Sequence, residues 1–299
     1  MHLQVIPPDP CLAHLLMPFM AMQLDGEDSH LPASLNPQVH LYLRGTVTVL
    51  LPDGGTWQPP RFGLCGPCPQ PRYSHAAADT RFIVVSFRPG LLPDAMQVVM
   101  AELVQNMLPM DHFAPQASIG LMDQVDTLLA QQLPMQAELA AATALLQQFL
   151  LQTLNLSARQ SYGQKMLTAH PRIFLPILKL AEVIGLGTRQ MERQVLTYFG
   201  VPLREVRRMA RFGLTLPMLW QASGRGDLTR IAHEAGYFDQ AHMHREFVAL
   251  AGIAPSELLD KITSADPAYW LYRMPLAQFE QLFYPMPLKD WRGWELPDG

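Results

Sequence analysis

The stretch from Leu228 to Leu258, LTRIAHEAGYFDQAHMHREFVALAGIAPSEL, constrains this chain more tightly than any other. Ile231, Ala232 and Ala235 form one small apolar face. Gly236 then supplies a residue for which a positive φ is cheap just past a helix end. Asp239 is placed to cap a second helix. Met243, Phe247 and Leu250 recur at spacings of four and three, so they share that helix's buried side. The opposite side carries Gln240, Ala241, His244 and Arg245. Gln and Arg reach paired hydrogen-bond positions on a base edge, which suits such a helix to reading a major groove. Gly252-Ile253-Ala254-Pro255 ends it, and Ser256 can cap a short third helix. The pattern predicts a helix-turn-helix with a supporting helix.

The run Ile-Ala-x-x-Ala-Gly-Tyr-x-Asp-Gln-Ala-His-Met-x-Arg-x-Phe, followed by Gly-Ile-x-Pro-Ser, resembles the second helix-turn-helix of AraC/XylS-type transcription regulators. The agreement extends over a long ungapped stretch. It implies binding to double-stranded DNA, contact with RNA polymerase, activation in preference to repression, and no enzymatic activity or cofactor. It further implies an α+β chain in two parts. The first is a cupin-like N-terminal β-barrel or sandwich with packed helices, which senses a small-molecule or protein effector or forms a homodimer. The second is an all-α C-terminal domain with two helix-turn-helix units joined by a linker helix.

A degenerate first copy of the unit lies within Pro171–Pro202. Leu180-Ala181-Glu182-Val183-Ile184-Gly185-Leu186 follows the pattern of Ile231–Tyr237, and Gly187–Arg193 opens its recognition helix, with Met191, Val195 and Phe199 turned inward. Arg193 takes the place of Arg245, and Arg189, Glu192 and Arg193 are expected to face base edges, as are Gln240, Ala241, His244 and Arg245. Two such units on a rigid connector can enter successive major grooves. Gly187 replaces the serine cap usual in the family, and Glu192 either accepts from a cytosine amino group or repels phosphate. The connector, Leu203–Gln221, carries Gly213 and Pro217, and a proline in a helix interior costs on the order of 3 kcal/mol and kinks it.

Charge divides the chain. Residues 1–150 hold five Arg and no Lys against twelve acids, whereas residues 151–299 hold seventeen basic groups against fourteen acids, within a total of −4. An acidic front and a basic back suggest parts with different partners. Basic residues concentrate between Thr188 and Arg211. There Thr188, Arg204, Arg207, Arg208 and Arg211 are candidates for phosphate contact, and the four arginines equally for packing between the units. At 299 residues with 49% hydrophobic and 16% charged residues, the chain can bury a core and form two domains. No apolar run approaches the roughly 18 residues of a membrane span. The Pro-interrupted start lacks a basic n-region, so a cytoplasmic location without a signal peptide is expected.

From Gln38 the pattern alternates: His40–Arg44, Thr46–Leu51, Thr56–Trp57, Arg61–Cys65 and Arg81–Phe87 read as strands, while residues 1–36 show no clear pattern. Ala95–Met107, Ala117–Gln132 and Met135–Leu156 read as helices, the last packing on the barrel or forming a dimer interface. The resulting division is 1–156 for sensing and dimerisation, 157–170 for a linker, 171–261 for DNA binding, and 262–299 for an extension. That extension carries eight of the chain's 26 aromatics and should dock on the body or meet a partner.

Cys65-Gly66-Pro67-Cys68 resembles the active-site motif of thioredoxins. Pro69 and Pro71 prevent a helix from starting there, and no second CxxC completes a zinc site. The two thiols therefore either flank a turn or form a redox- or metal-responsive switch, an alternative reading of the chain. His40 and His75 stand singly, and His242 and His244 lie two apart on a helix, pointing to different faces. No catalytic constellation or metal site is expected.

Overall fold

A computed structural model describes residues 1–51, 53–157, 174–221 and 227–283. The N-terminal half is built on two facing antiparallel sheets. The larger orders its strands β1 (His2–Ile6), β2 (Leu16–Leu24), β9 (Thr80–Phe87), β4 (Gln38–Arg44), β7 (Phe62–Cys65) and β10 (Met107–Pro109). The smaller orders β3 (Asp28–Leu31), β8 (Arg72–Ala76), β5 (Val47–Leu50) and β6 (Thr56–Trp57). The segments expected as strands are present within a residue or two at their ends. β1, β2 and β3 lie within residues 1–36, which showed no pattern, and β8 lies outside the expected strands as well. β2 is buried on both faces, so its sequence, LMPFMAMQL, lacks the alternation that marks a half-exposed strand.

Alternate residues of β2 and β9 serve two cores. Phe19, Ala21, Ile83, Val85 and Phe87 point to one side, against helices α3 (Pro115–Ala130) and α4 (Met135–Thr153). Met20, Met22, Phe82 and Val84 point to the other, where the small sheet and the C-terminal helices meet them. α4 packs on the barrel through Leu139, Ala142, Leu146, Phe149 and Leu150, leaving mostly Gln and Ala outward. Its Glu138 is fully buried and receives Arg44 through Nε and Nη2 at 2.8–3.1 Å and Arg81 Nη1 at 3.0 Å. The carboxylate pins the helix to β4 and β9.

The helix expected over Ala95–Met107 is instead two short pieces, α1 (Leu92–Met96) and α2 (Met100–Leu103), followed by β10. Gln97 and Gln105 adopt positive φ (56° and 57°), and Met107 pairs with Cys65 in the sheet. The apolar spacing was helical, but sheet pairing claimed its end.

The C-terminal half comprises α5 (Ile177–Ile184), α6 (Thr188–Phe199), α7 (Leu203–Trp220), α8 (Leu228–Glu234), α9 (Gln240–Ala251) and α10 (Pro255–Thr263). A 3-10 segment, Pro267–Arg273, and α11 (Leu276–Phe283) follow. The connector α7 runs through Gly213 and Pro217 as one helix, the linker helix expected between the two units. Pro217 falls near its C-terminal end, its ring buried with Leu214, Leu216 and Leu219 in the core shared with the barrel. The aromatic extension docks: Tyr269, Tyr272 and Phe279 are buried, and the Trp270 indole donates to Ser29 Oγ at 2.9 Å. Of the linker expected over 157–170 only Ser157 lies among the described residues, as does the extension only as far as Phe283.

Candidate nucleic-acid interface

In the second unit, α8 buries Leu228, Ile231 and Ala232, and Gly236 turns the chain at φ 78°. Asp239 follows in extended conformation, and its Oδ1 accepts from the His242 backbone N–H at 2.6 Å. This satisfies one of the N–H groups that a helix start leaves without a partner. α9 buries Met243, Phe247 and Leu250, with Phe247 edge-on to Phe212 of the connector at 4.8 Å. Gln240, Ala241, His244 and Arg245 are exposed together on its outer face. Thr229 Oγ1 donates to Gln240 Oε1 at 3.0 Å, which orients the Gln240 amide. Sequence reasoning missed Thr229, because the contact joins two helices. It also missed Phe238, which is 85% exposed in the turn before α9; an apolar ring at a turn beside a polar helix face was the available signal.

The first unit repeats the plan. Gly185 closes α5 at φ 77°, and Gly187 starts α6 with no side-chain cap. Met191, Val195 and Phe199 are buried; Arg189, Glu192 and Arg193 are exposed, and Thr188 is half-buried. Its core adds Leu180, Ala181, Val201, Leu203 and Val206.

The connector arginines divide. Arg204 is 90% exposed, its Nε 3.7 Å from Glu205. Arg207 donates to the Leu175 carbonyl. Arg208 reaches Glu205 at 3.1 Å and Glu246 at 3.7 Å; Arg211 lies 3.9 Å from Glu246 and over the Tyr237 ring. His242 Nε2 is 3.4 Å from the same Glu246. Arg207, Arg208 and Arg211 thus engage protein groups along a groove between the two units, which Glu192 also lines. Each recognition helix ends in a left-handed glycine pressed on the N-terminal half. A Cβ on Gly200 would meet Val104 Cγ2 at 2.7 Å, and one on Gly252 would meet the Tyr73 hydroxyl at 1.6 Å. Ala33 N donates to Leu250 O at 2.7 Å, joining the β3–β4 loop to the end of α9.

Cys65 and Cys68 are buried free thiols that donate to the carbonyls of Gly66 and Gln70. Burial pushes the Cys68 thiol up, which disfavours the reactive thiolate. The redox- or metal-responsive alternative gains no support from this setting. His40 lines an internal cavity, His75 pairs with Asp28 on the surface at 2.8 Å, and His244 stands exposed. Among the described residues no three His, Cys, Asp or Glu side chains converge to hold a metal, and no helix is long and apolar enough to cross a membrane.

A family model described as a helix-turn-helix domain matches residues 180–261, spanning both units. No curated protein matches the chain. Among solved structures, ToxT from Vibrio cholerae is similar at 10% identity, covering 81% of this chain and 97% of that one with a TM-score of 0.42. The AraC-like transcriptional activator CuxR is similar at 11% identity, covering 65% and 75%, with a TM-score of 0.28. Likeness at these scores adds nothing to what the family match and the geometry of the units carry. Residues 180–261 of this chain thus form a helix-turn-helix domain, as the family match and the geometry of the two units agree.

Proposed function

We propose that the protein is an effector-responsive activator of transcription. Residues 1–156 sense and dimerise, 157–170 link, 171–261 bind DNA, and the extension from 262 ties the two halves together. Gln240, Ala241, His244 and Arg245 read one major-groove segment, and Arg189, Glu192 and Arg193 read the next. Arg204 and Thr188 contact phosphate, and Arg207, Arg208 and Arg211 hold the two units at a fixed spacing. DNA-bound, the protein contacts RNA polymerase. The observation that carries this reading is the outer face of α9, where four base-compatible side chains stand exposed on a capped helix whose other side is locked into the core.

The test begins with mapping of genomic binding sites to obtain an operator. Arg245→Ala is then expected to weaken operator binding by about 1–3 kcal/mol, with no change in thermal stability because the side chain is exposed. Unchanged operator affinity in that variant removes α9 as the reading element.

A further inference from the structure

The helices α6 and α9 are each 12 residues long, and counted from their first residue they bury and expose the same positions. The fourth, eighth and twelfth face the core, whereas the second, fifth, sixth and ninth face outward. The ninth residues are Leu196, 49% exposed, and Val248, 45% exposed. At about 100° per residue, the ninth residue stands between the fifth and the sixth on the helix surface, one turn further along. Each aliphatic side chain thus shares a row with Arg193 in the first unit or Arg245 in the second.

Around that row the two units differ. The second position is Arg189 in one and Ala241 in the other, and the fifth is Glu192 or His244. Of these four outward positions only two keep their chemistry, the arginine at the sixth and a branched aliphatic residue at the ninth. Neither Leu196 nor Val248 packs in any of the three hydrophobic cores. On a face that meets a polyanion, a lysine at the ninth position would add attraction, and an aliphatic side chain left half in water adds none. It contributes only when something apolar covers it. In a major groove the apolar group that a base edge presents is the thymine 5-methyl. One helical turn advances about 5.4 Å and stacked base pairs lie about 3.4 Å apart. The ninth residue therefore falls about one or two base pairs beyond the one that the arginine reads.

We propose that Leu196 and Val248 determine specificity, each seated on the methyl group of a thymine about one or two base pairs from the guanine that Arg193 or Arg245 takes. The inference rests on the reading of α6 and α9 as the helices that enter the major groove, and it names what they read there. Each half of the operator carries a guanine and, close to it, a thymine recognised by its methyl group instead of its hydrogen-bonding edge.

The experiment uses the full chain and an operator duplex obtained by mapping genomic binding sites, with affinity read by fluorescence anisotropy. Each thymine of the site is replaced in turn by deoxyuridine, which removes the methyl and keeps the base pair. One replacement in each half is expected to weaken binding about fourfold, the worth of one buried methyl group. Val248→Ala is expected to remove the loss in the half read by α9 and to leave the loss in the other half; Leu196→Ala does the converse. Both side chains are exposed, so the two variants are expected to melt with the unaltered chain. The proposal is overturned when no replacement costs more than about twofold in one or both halves. It is equally overturned when the loss persists in the matching variant, which assigns the methyl effect to Ala241 or to the duplex itself. Weakened binding of Arg245→Ala with no methyl effect sinks the thymine assignment alone; absence of sequence-specific binding sinks the reading of α6 and α9 as well.

Discussion

Replacing Asp239 by alanine separates positioning of the recognition helix from contact with DNA. Asp239 closes the start of α9 through a single bond, His242 N–H to Oδ1 at 2.6 Å. Loss of such a cap costs about 1 kcal/mol, within a range of 0.5–2. The charge adds a few tenths more through the helix dipole. The penalty is local to the first turn, which carries Gln240 and Ala241, because Met243 and Phe247 stay locked in the core. One kcal/mol changes the ratio of ordered to frayed turn by roughly fivefold, so operator affinity is expected to fall by no more than about that factor. Asn caps as well as Asp, so Asp239→Asn should restore most of the loss and isolate the contribution of charge. Fluorescence anisotropy on an operator duplex reads the affinity, and amide exchange at residues 240–243 reads the fraying. A loss beyond roughly a hundredfold in the alanine variant, with exchange at His242 unchanged, would show that Asp239 touches the DNA and that the capping account is wrong.

Glu138→Gln keeps the shape of the buried side chain but removes the charge that Arg44 and Arg81 share. Breaking a buried pair costs about 3–5 kcal/mol; the low end is expected, because Arg44 is 34% exposed and Arg81 retains Asp79. Urea denaturation checks this, and a loss under about 1 kcal/mol would show that water already reaches the cluster. His40, held near 3 in the folded protein, accepts a proton readily once unfolded. Between about pH 6.5 and 3 the unfolded chain therefore binds the extra proton, and stability falls as pH falls, by up to about 1.4 kcal/mol per pH unit. Urea midpoints at pH 7, 6 and 5 should show this slope, and His40→Gln should flatten it. An unaltered slope in that variant would assign the acid sensitivity to other groups.

The readable and the unreadable parts of this chain divide by the reach of the signals. The spacing of Met243, Phe247 and Leu250, the cap at Asp239 and the stop at Gly252 are all local, so residues within one turn of each other specified α9 and its outward face before any tertiary contact was known. The same is true of the first unit and of the alternating strands β4, β5, β6, β7 and β9, but not of β8. β2 shows no alternation because it is buried on both faces, and the helical period of Ala95–Met107 does not become one helix because Met107 pairs with Cys65 in the sheet. The connector's proline lies buried inside one continuous helix, near its C-terminal end. The cavity was beyond sequence reasoning altogether. Arg72, Phe212 and Trp270 lie nearly two hundred residues apart from first to last, and only the closure of two sheets, a connector and an extension brings them to line one space. Local chemistry wrote the two helix-turn-helix units; long-range packing alone brought residues of the sheets, the connector and the extension around one cavity.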